Sequence, residues 1–188
     1  TLLHVLNRAL DEARIEAGSM PLQAQAMHID ALCRRWQARS VLLLCPRGTG
    51  VAVCLHVREG AQACGDPARL TQLLDDVADI LVTRTACARL VLQVWWQAGR
   101  ERLLLELSTT AVQSAGRSRG GRRHRAMAVP TPSRHALNDA LADTQGLVRA
   151  LGGSLRLHAT GVGRWSVLIS LALPAVGGAT GKIGRAHV

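Results

Sequence analysis

Two pairs of short apolar runs, each closed around glycine, constrain this chain more than any other feature. Residues 90–96 and 103–107 flank Ala98-Gly99-Arg100, and residues 154–159 and 164–173 flank Gly161-Val162-Gly163. Strand-forming runs separated by a few residues that include glycine read as antiparallel hairpins. Pro174, which has no N–H to give a ladder, stops the last strand. The segments between these pairs carry helical spacing instead. Asp66-Pro67 is a helix start, with Pro at the first helical position, and Leu70, Leu73, Leu74, Val77 and Leu81 keep the period to about Thr83. Residues 133–151 form a further helix that ends on Gly152-Gly153. Gly146 inside it costs about 1 kcal/mol relative to alanine, which predicts close packing there or a break.

Upstream, Asp30 is an N-cap candidate for a helix through Ala38, with Leu32 and Trp36 on one face. Residues 41–45 and the alternating Val51, Val53, Leu55 and Val57 read as two strands joined around Pro46-Arg47-Gly48-Thr49-Gly50. Leu2, Leu3, Leu6, Leu10 and Ala13 recur at helical spacing, so the chain opens inside an amphipathic helix that stops at Gly18. Strand pairs separated by single helices predict an α+β two-layer sandwich with a mainly antiparallel sheet, not a doubly wound parallel one. The opening Thr1 predicts a segment upstream, and residues 182–188, after a Gly-rich stretch, resemble a sequencing adapter translated in frame. Residues 176–188 are read as a tail.

With 188 residues, 48% of them hydrophobic and 19% charged, the chain suits one domain with a core plus an appendage. The net charge of +10 comes almost wholly from arginine, since Lys182 is the one lysine. Guanidinium groups suit phosphate-bearing or acidic partners. Nucleic acid is an unfavoured partner, because the chain has no Phe or Tyr and four Trp, too few to build stacking platforms; a basic nucleic-acid-binding module would reveal itself by a steep loss of affinity with salt. No apolar run approaches the ~20 residues of a membrane-spanning helix. Cys33, Cys45, Cys54, Cys64 and Cys87 include no Cys-x-x-Cys pair and read as buried reduced thiols. Cys54 and His56 share a strand face, the beginning of a metal site, but no second pair stands at ligand spacing, so they read as core packing.

Residues 109–132 lose all periodicity and carry Arg117, Arg119, Arg122, Arg123 and Arg125 among Gly116, Gly120 and Gly121. The segment is a basic loop, either solvated or turned toward phosphates, an acidic surface or nucleic acid. Ser133, His135 and Asp139 lie close in sequence, but a catalytic triad needs spatial convergence that spacing does not supply.

Three blocks, in order over roughly residues 2–175, resemble the C-terminal half of bacterial sensor histidine kinases. Residues 2–18, ending Ile15-Glu16-Ala17-Gly18, are similar to the second helix of the dimerisation domain. Gly65-Asp66-Pro67-Ala68-Arg69-Leu70-Thr71-Gln72 is similar to the start of the helix that carries the nucleotide-binding Asn. Residues 147–155, then Gly161-Val162-Gly163 and a strand ending Leu173-Pro174, are similar to the closing helix and hairpin. The resemblance implies a histidine-kinase ATPase domain of the Bergerat type over residues 19–175, preceded by the end of the dimerisation helix over residues 1–18. It implies ATP and Mg²⁺ as cofactors, phosphotransfer to a histidine on the preceding helix, and a cytoplasmic segment of a parent anchored in the inner membrane. His4 lies on the wrong helix to be that phosphoacceptor.

The positions that the resemblance assigns to the nucleotide depart from its pattern. The Mg²⁺-holding Asn falls on Ile80, and a hydrocarbon cannot ligate a hard cation. Asp76 and Asp79 lie three residues apart on one helical face, either as substitute Mg²⁺ ligands or as a solvated acidic face. The adenine-reading Asp-x-Gly-x-Gly turn falls on Thr109 through Gln113, with Ala111 and Gln113 in place of its glycines. A Thr hydroxyl lacks the carboxylate that accepts from the adenine amino group, and leaving that group unpaired costs about 1–3 kcal/mol. The later Gly-x-Gly falls on Asn138-Asp139-Ala140, where Asp139 adds a like charge beside a polyphosphate and Asn138 reads as a helix cap. Arg117, Arg119, Arg122, Arg123 and Arg125 occupy the place of the ATP lid.

Turn and core residues match while ligand residues do not. The expectation is therefore a pseudokinase-type docking module, dimeric through the upstream hairpin, that works on its own dimerisation helices, a partner kinase or a response regulator. The alternative is a working autokinase that uses Asp76, Asp79, Thr109 and the lid arginines.

Overall fold

A computed structural model of the chain describes residue 13 and residues 21–85, 87–111, 132–161 and 163–176. Five strands make the main sheet: β2 (Gly50–His56), β4 (Cys87–Gln97), β5 (Arg102–Ala111), β6 (Gly153–Gly161) and β7 (Arg164–Ala172). Their spatial order is β2-β4-β5-β7-β6, with β2 parallel to β4 and every other pair antiparallel. Two short strands, β1 (Gln25–His28) and β3 (Gln62–Gly65), pair antiparallel in a separate ribbon. Four helices complete the described fold: α1 (Ile29–Leu44), α2 (Pro67–Arg84), α3 (Arg134–Ala140) and α4 (Ala142–Ala150). This is the α+β two-layer arrangement expected.

The core lies between one face of the sheet and the helices. Leu90, Leu92 and Val94 of β4, Leu105 and Leu107 of β5, and Val167 and Ile169 of β7 alternate onto that face and are buried. From the helical layer α2 supplies Leu70, Leu73, Leu74, Val77 and Leu81, and α4 supplies Leu147 and Val148. Asp66 caps α2: its Oδ1 accepts from the backbone N–H groups of Ala68 and Arg69, 3.0 Å each, and Oδ2 accepts from the N–H of Gln23 at 3.0 Å. One carboxylate thus starts the central helix and ties the incoming chain to it.

The first strand expected, over residues 41–45, is instead the last turn of α1. Leu32, Trp36, Ser40 and Leu44 are buried at a spacing of four, while Leu42 and Leu43 stand 75% and 61% exposed. The apolar run is therefore split between two sides of a helix and never enters a sheet. A 3₁₀ turn over Cys45–Arg47 and the left-handed Gly48 (φ 82°) lead into β2. The N-cap position of α1 is His28, not Asp30, which lies in the first turn.

The helix expected over residues 133–151 is two helices, and the break falls at Leu141 (φ −89°, ψ −1°) instead of Gly146, which α4 contains. Leu137 and Leu141 are both fully buried across that break. Ser133, not Asn138, is the N-cap: its Oγ accepts from the N–H of Ala136 at 3.1 Å. No helix among the described residues is long and apolar enough to cross a membrane.

The thiols also divide differently from expectation. Cys33 and Cys87 are buried, Cys64 is half-buried, and Cys45 and Cys54 are exposed. Burial, reinforced by the charge of Asp30, pushes the Cys33 thiol up to about 12, and burial raises Cys87 as well. Raising a thiol pKa by three units lowers the thiolate fraction, and with it alkylation, by about a thousandfold. Iodoacetamide at mildly alkaline pH is accordingly expected to modify Cys45 and Cys54 first and to reach Cys33 last, on the timescale of unfolding. Peptide mass mapping against time checks the order.

Candidate functional site

Asp76, Asp79 and Ile80 lie in the C-terminal half of α2, which packs against both β5 and α3. The elements that carry the remaining described candidates, Thr109 and Ala111 on β5 and Asn138 and Ala140 on α3, thus both pack against this helix. Gln113 and the lid residues Arg117, Arg119, Arg122, Arg123 and Arg125 lie outside the described residues, as does the helix over residues 1–18 apart from Ala13.

Ile80 is 9% exposed at the margin of the hydrophobic core formed by the described residues, and its hydrocarbon side chain offers no oxygen to a cation. Asp79 is 65% exposed, and its Oδ1 accepts from Arg47 Nη1 at 3.3 Å, an ion pair that turns it toward the 3₁₀ turn before β2. Asp76 is half-buried one helical turn away. No group of three or more His, Cys, Asp or Glu side chains able to hold a metal ion occurs among the described residues.

Thr109, the position that the resemblance assigns to adenine recognition, has its hydroxyl engaged within the fold. Thr109 is buried, and its Oγ1 accepts from the N–H of Trp165 at 2.9 Å and lies 3.3 Å from the Trp165 carbonyl, to which it donates. The hydroxyl takes over the β5–β7 ladder just beyond its last backbone pair, Ser108 with Ser166. Both of its hydrogen-bonding roles are filled by one peptide.

Where the resemblance implies a glycine turn, β5 continues instead: Thr109 pairs with Leu90, Thr110 with Arg89 and Ala111 with Cys87. Strand pairing keeps this backbone in the sheet. The second glycine position, Asn138 to Ala140, lies inside α3. Amides beyond the first helical turn bond carbonyls four residues back, so they do not point at a ligand.

Two residues at this end were not anticipated from sequence. Arg47 neutralises Asp79 across 32 positions. Trp165, on the core face of β7, supplies the peptide that holds Thr109, and its own buried indole Nε1 has no hydrogen-bond partner among the described residues. Neither pairing has a local sequence signal.

The other clusters are simpler. Cys54 and His56 are exposed on the sheet face away from the helices, and the His56 ring stacks on Trp95, with centroids 5.1 Å apart and planes 10° off parallel. They are surface residues, not the core packing expected. Ser133, His135 and Asp139 are exposed and do not converge: the imidazole approaches Asp139, one helical turn on, at 3.5 Å with side chains 89% and 64% exposed, while Ser133 Oγ serves as the cap.

No family model matches the chain, and no curated protein matches it in sequence. Solved structures do match. The Acinetobacter baumannii histidine kinase AdeS superposes with a TM-score of 0.66 and 14% identity over 92% of this chain and 78% of that one. Full-length ShkA, in complex with AMPPNP, gives a TM-score of 0.71 and 18% identity over 93% of this chain. The histidine kinase ThkA, in complex with response regulator protein TrrA, gives 0.60 and 9% identity over 90% of this chain. The chain has the histidine-kinase catalytic fold. It spans 36% of the ShkA chain and 48% of the ThkA chain. At these identities the histidine-kinase likeness is one of architecture, and the site must be judged on its own residues.

Proposed function

We propose that this chain is a histidine-kinase-type ATPase domain whose nucleotide site has been given over to structure, acting as a pseudokinase-type docking module in two-component signalling. The observation that carries this reading is Thr109: its hydroxyl is saturated by the Trp165 peptide, in a strand that continues where a ligand would need an open turn. Burial of Ile80 in the core and the pairing of Asp79 with Arg47 support it from the cation side. In this reading residues 19–175 form the ATPase-like domain and residues 1–18 the end of a dimerisation helix, which makes the parent a dimer. The complex of ThkA with response regulator protein TrrA supports a response regulator as partner, and the AMPPNP complex of ShkA supports the alternative, a site that still takes nucleotide. The parent is a bacterial kinase relative whose domain lies in the cytoplasm.

Calorimetric titration of ATP into the chain, with and without Mg²⁺, tests the loss. The expected result is no saturable heat up to several millimolar nucleotide, beyond the roughly −4 kcal/mol of a 1 mM dissociation constant. Micromolar to low-millimolar affinity that improves with Mg²⁺ overturns the reading. It would make Asp76 and Asp79 metal ligands in a working autokinase, and Asp76→Asn and Asp79→Asn the variants that abolish the Mg²⁺ effect.

A further inference from the structure

The main sheet packs one face against the helices and leaves the other open. Trp95 of β4 and Leu104 of β5 stand opposite each other on that open face, and Leu168 of β7 lies one strand further on, diagonal to Leu104. All three are half-buried. Charge on the strands is one-sided: they carry Arg89, Arg102, Arg156 and Arg164 against a single acid, Glu106, which already accepts from Ser166 Oγ. The four arginines alternate onto the open face and are exposed, and their guanidinium groups have no hydrogen-bond or ion-pair partner among the described residues. By register they ring the apolar centre, with Arg89 and Arg164 beyond one end, Arg102 at the other and Arg156 on the outer strand β6. The helical layer is different, since Arg39 and Arg47 there are matched by Asp75 and Asp79.

Uncompensated guanidinium groups around an indole and two leucines fit an occupant of opposite sign with an apolar stripe. β4, β5 and β7 are each bonded on both sides, so an extended segment laid over them would find no ladder to join and would leave its own N–H and C=O groups unpaired. A helix satisfies its own backbone and brings only side chains. A second copy is disfavoured, because a two-fold contact through this face sets arginine against arginine. A lipid surface is disfavoured as well: these apolar side chains are half-buried among Gln93, Ser108 and Ser170, whereas interfacial anchoring needs apolar surface sunk roughly 5–10 Å into the bilayer.

We propose that the open face of the sheet is a docking surface for an acidic amphipathic helix of a partner protein, with its apolar stripe over Trp95, Leu104 and Leu168 and its carboxylates on the arginine ring. This surface lies on the side of the sheet opposite α2 and Ile80, so the inference does not depend on whether nucleotide binds.

A fluorescein-labelled peptide of about 18 residues, roughly five helical turns with leucine along one stripe and glutamate flanking it, serves as the probe. Fluorescence anisotropy at about 150 mM salt, where distant charges are screened, is expected to give saturable binding with a dissociation constant below about 100 μM. Arg102→Glu with Arg156→Glu is expected to weaken it about tenfold. Arg34→Glu with Arg35→Glu, the same charge change at exposed positions of α1, is expected to weaken it less than about twofold. Saturating peptide is also expected to slow alkylation of Cys54, which shares the open face, and to leave the exposed Cys45 unchanged. Unchanged urea midpoints of the variants control for folding. Equal weakening by the two pairs overturns the proposal, since net charge alone then attracts the peptide. Equal binding of a peptide with serine in place of leucine overturns it too, as does protection of both cysteines or of neither, or no saturation up to about 1 mM. Phosphatidylglycerol vesicles or duplex DNA that bind more tightly than the peptide, with the same dependence on Arg102 and Arg156, show a membrane or a nucleic acid as the occupant and overturn it. A dimer in sedimentation that Trp95→Ser abolishes does the same for a second copy.

Discussion

Trp36→Ala is expected to cost the domain about 4 kcal/mol, within the 3–5 kcal/mol typical of emptying a buried aromatic site. Trp36 is 1% exposed and is the largest side chain of the fully buried set. Its indole lies in α1 against α2, and Nε1 donates to Asp75 Oδ1 at 3.0 Å, the same carboxylate that Arg39 engages. Two contributions are therefore lost together: the packing of α1 against α2, and one donor to a carboxylate shared between the helices. They separate by size. Asp75 keeps Arg39 and remains partly in solvent, so losing the indole donor alone costs only about 0.5–1.5 kcal/mol. Trp36→Phe, which retains most of the ring volume, is expected to lose about 1.5 kcal/mol. Urea unfolding of both variants measures the difference. Equal losses would place the stabilisation in the hydrogen bond and refute the packing account.

The same region shows why some elements are legible in sequence and others are not. α2 is announced twice, by Asp66-Pro67 at its start and by leucine spacing along it, and local chemistry suffices: the cap bonds its own helix within three residues. The two hairpins are likewise local, since glycine turns and alternation lie within one stretch of chain. Residues 41–44 mislead because four consecutive apolar residues look the same whether a sheet buries them all or a helix buries one and exposes two. The ribbon of Gln25–His28 with Gln62–Gly65 is too short and too polar to produce a periodic signal. The parallel pairing of β2 with β4 joins strands separated by an entire helix, which no turn residue encodes.

The candidate site divides along the same line. That Ile80 cannot ligate a cation follows from its side chain alone, and its place in the core is consistent with the helical spacing of α2. The fate of Thr109 is different. Its partner peptide is 56 positions away and belongs to a tryptophan whose side chain takes no part in the bond. A backbone partner leaves no mark in composition or spacing, so this pairing is not legible in the sequence. The same holds for Arg47 and Asp79, which meet only because a 3₁₀ turn carries the arginine back over α2.

Gly153→Ala is expected to destabilise the domain by about 3 kcal/mol, the upper part of the range for overpacking a filled site. The reason is space, not dihedral freedom. Gly153 begins β6 opposite Leu171 of β7, and a Cβ placed there would lie 2.4 Å from the Ser170 carbonyl oxygen and 2.5 Å from Leu171 Cδ2. Leu171 can rotate away, but the Ser170 carbonyl is backbone in the β7 strand, and Ser170 is paired on both sides, with Ser154 and Leu104. Relief therefore requires β6 to move off the sheet at its first residue. The neighbouring Gly152 makes a contrasting control: it has φ 72° and a Cβ there would approach nothing closer than 4.0 Å. Its alanine variant meets only the left-handed conformational penalty, about 1 kcal/mol. Chemical denaturation of the two variants separates the causes, because only Gly153→Ala should also speed amide exchange along β6. A loss at Gly153 no larger than that at Gly152 would mean that the β6–β7 pair yields at this end, and that the closing hairpin is held by its turn at Gly163 (φ 66°) and not by its register.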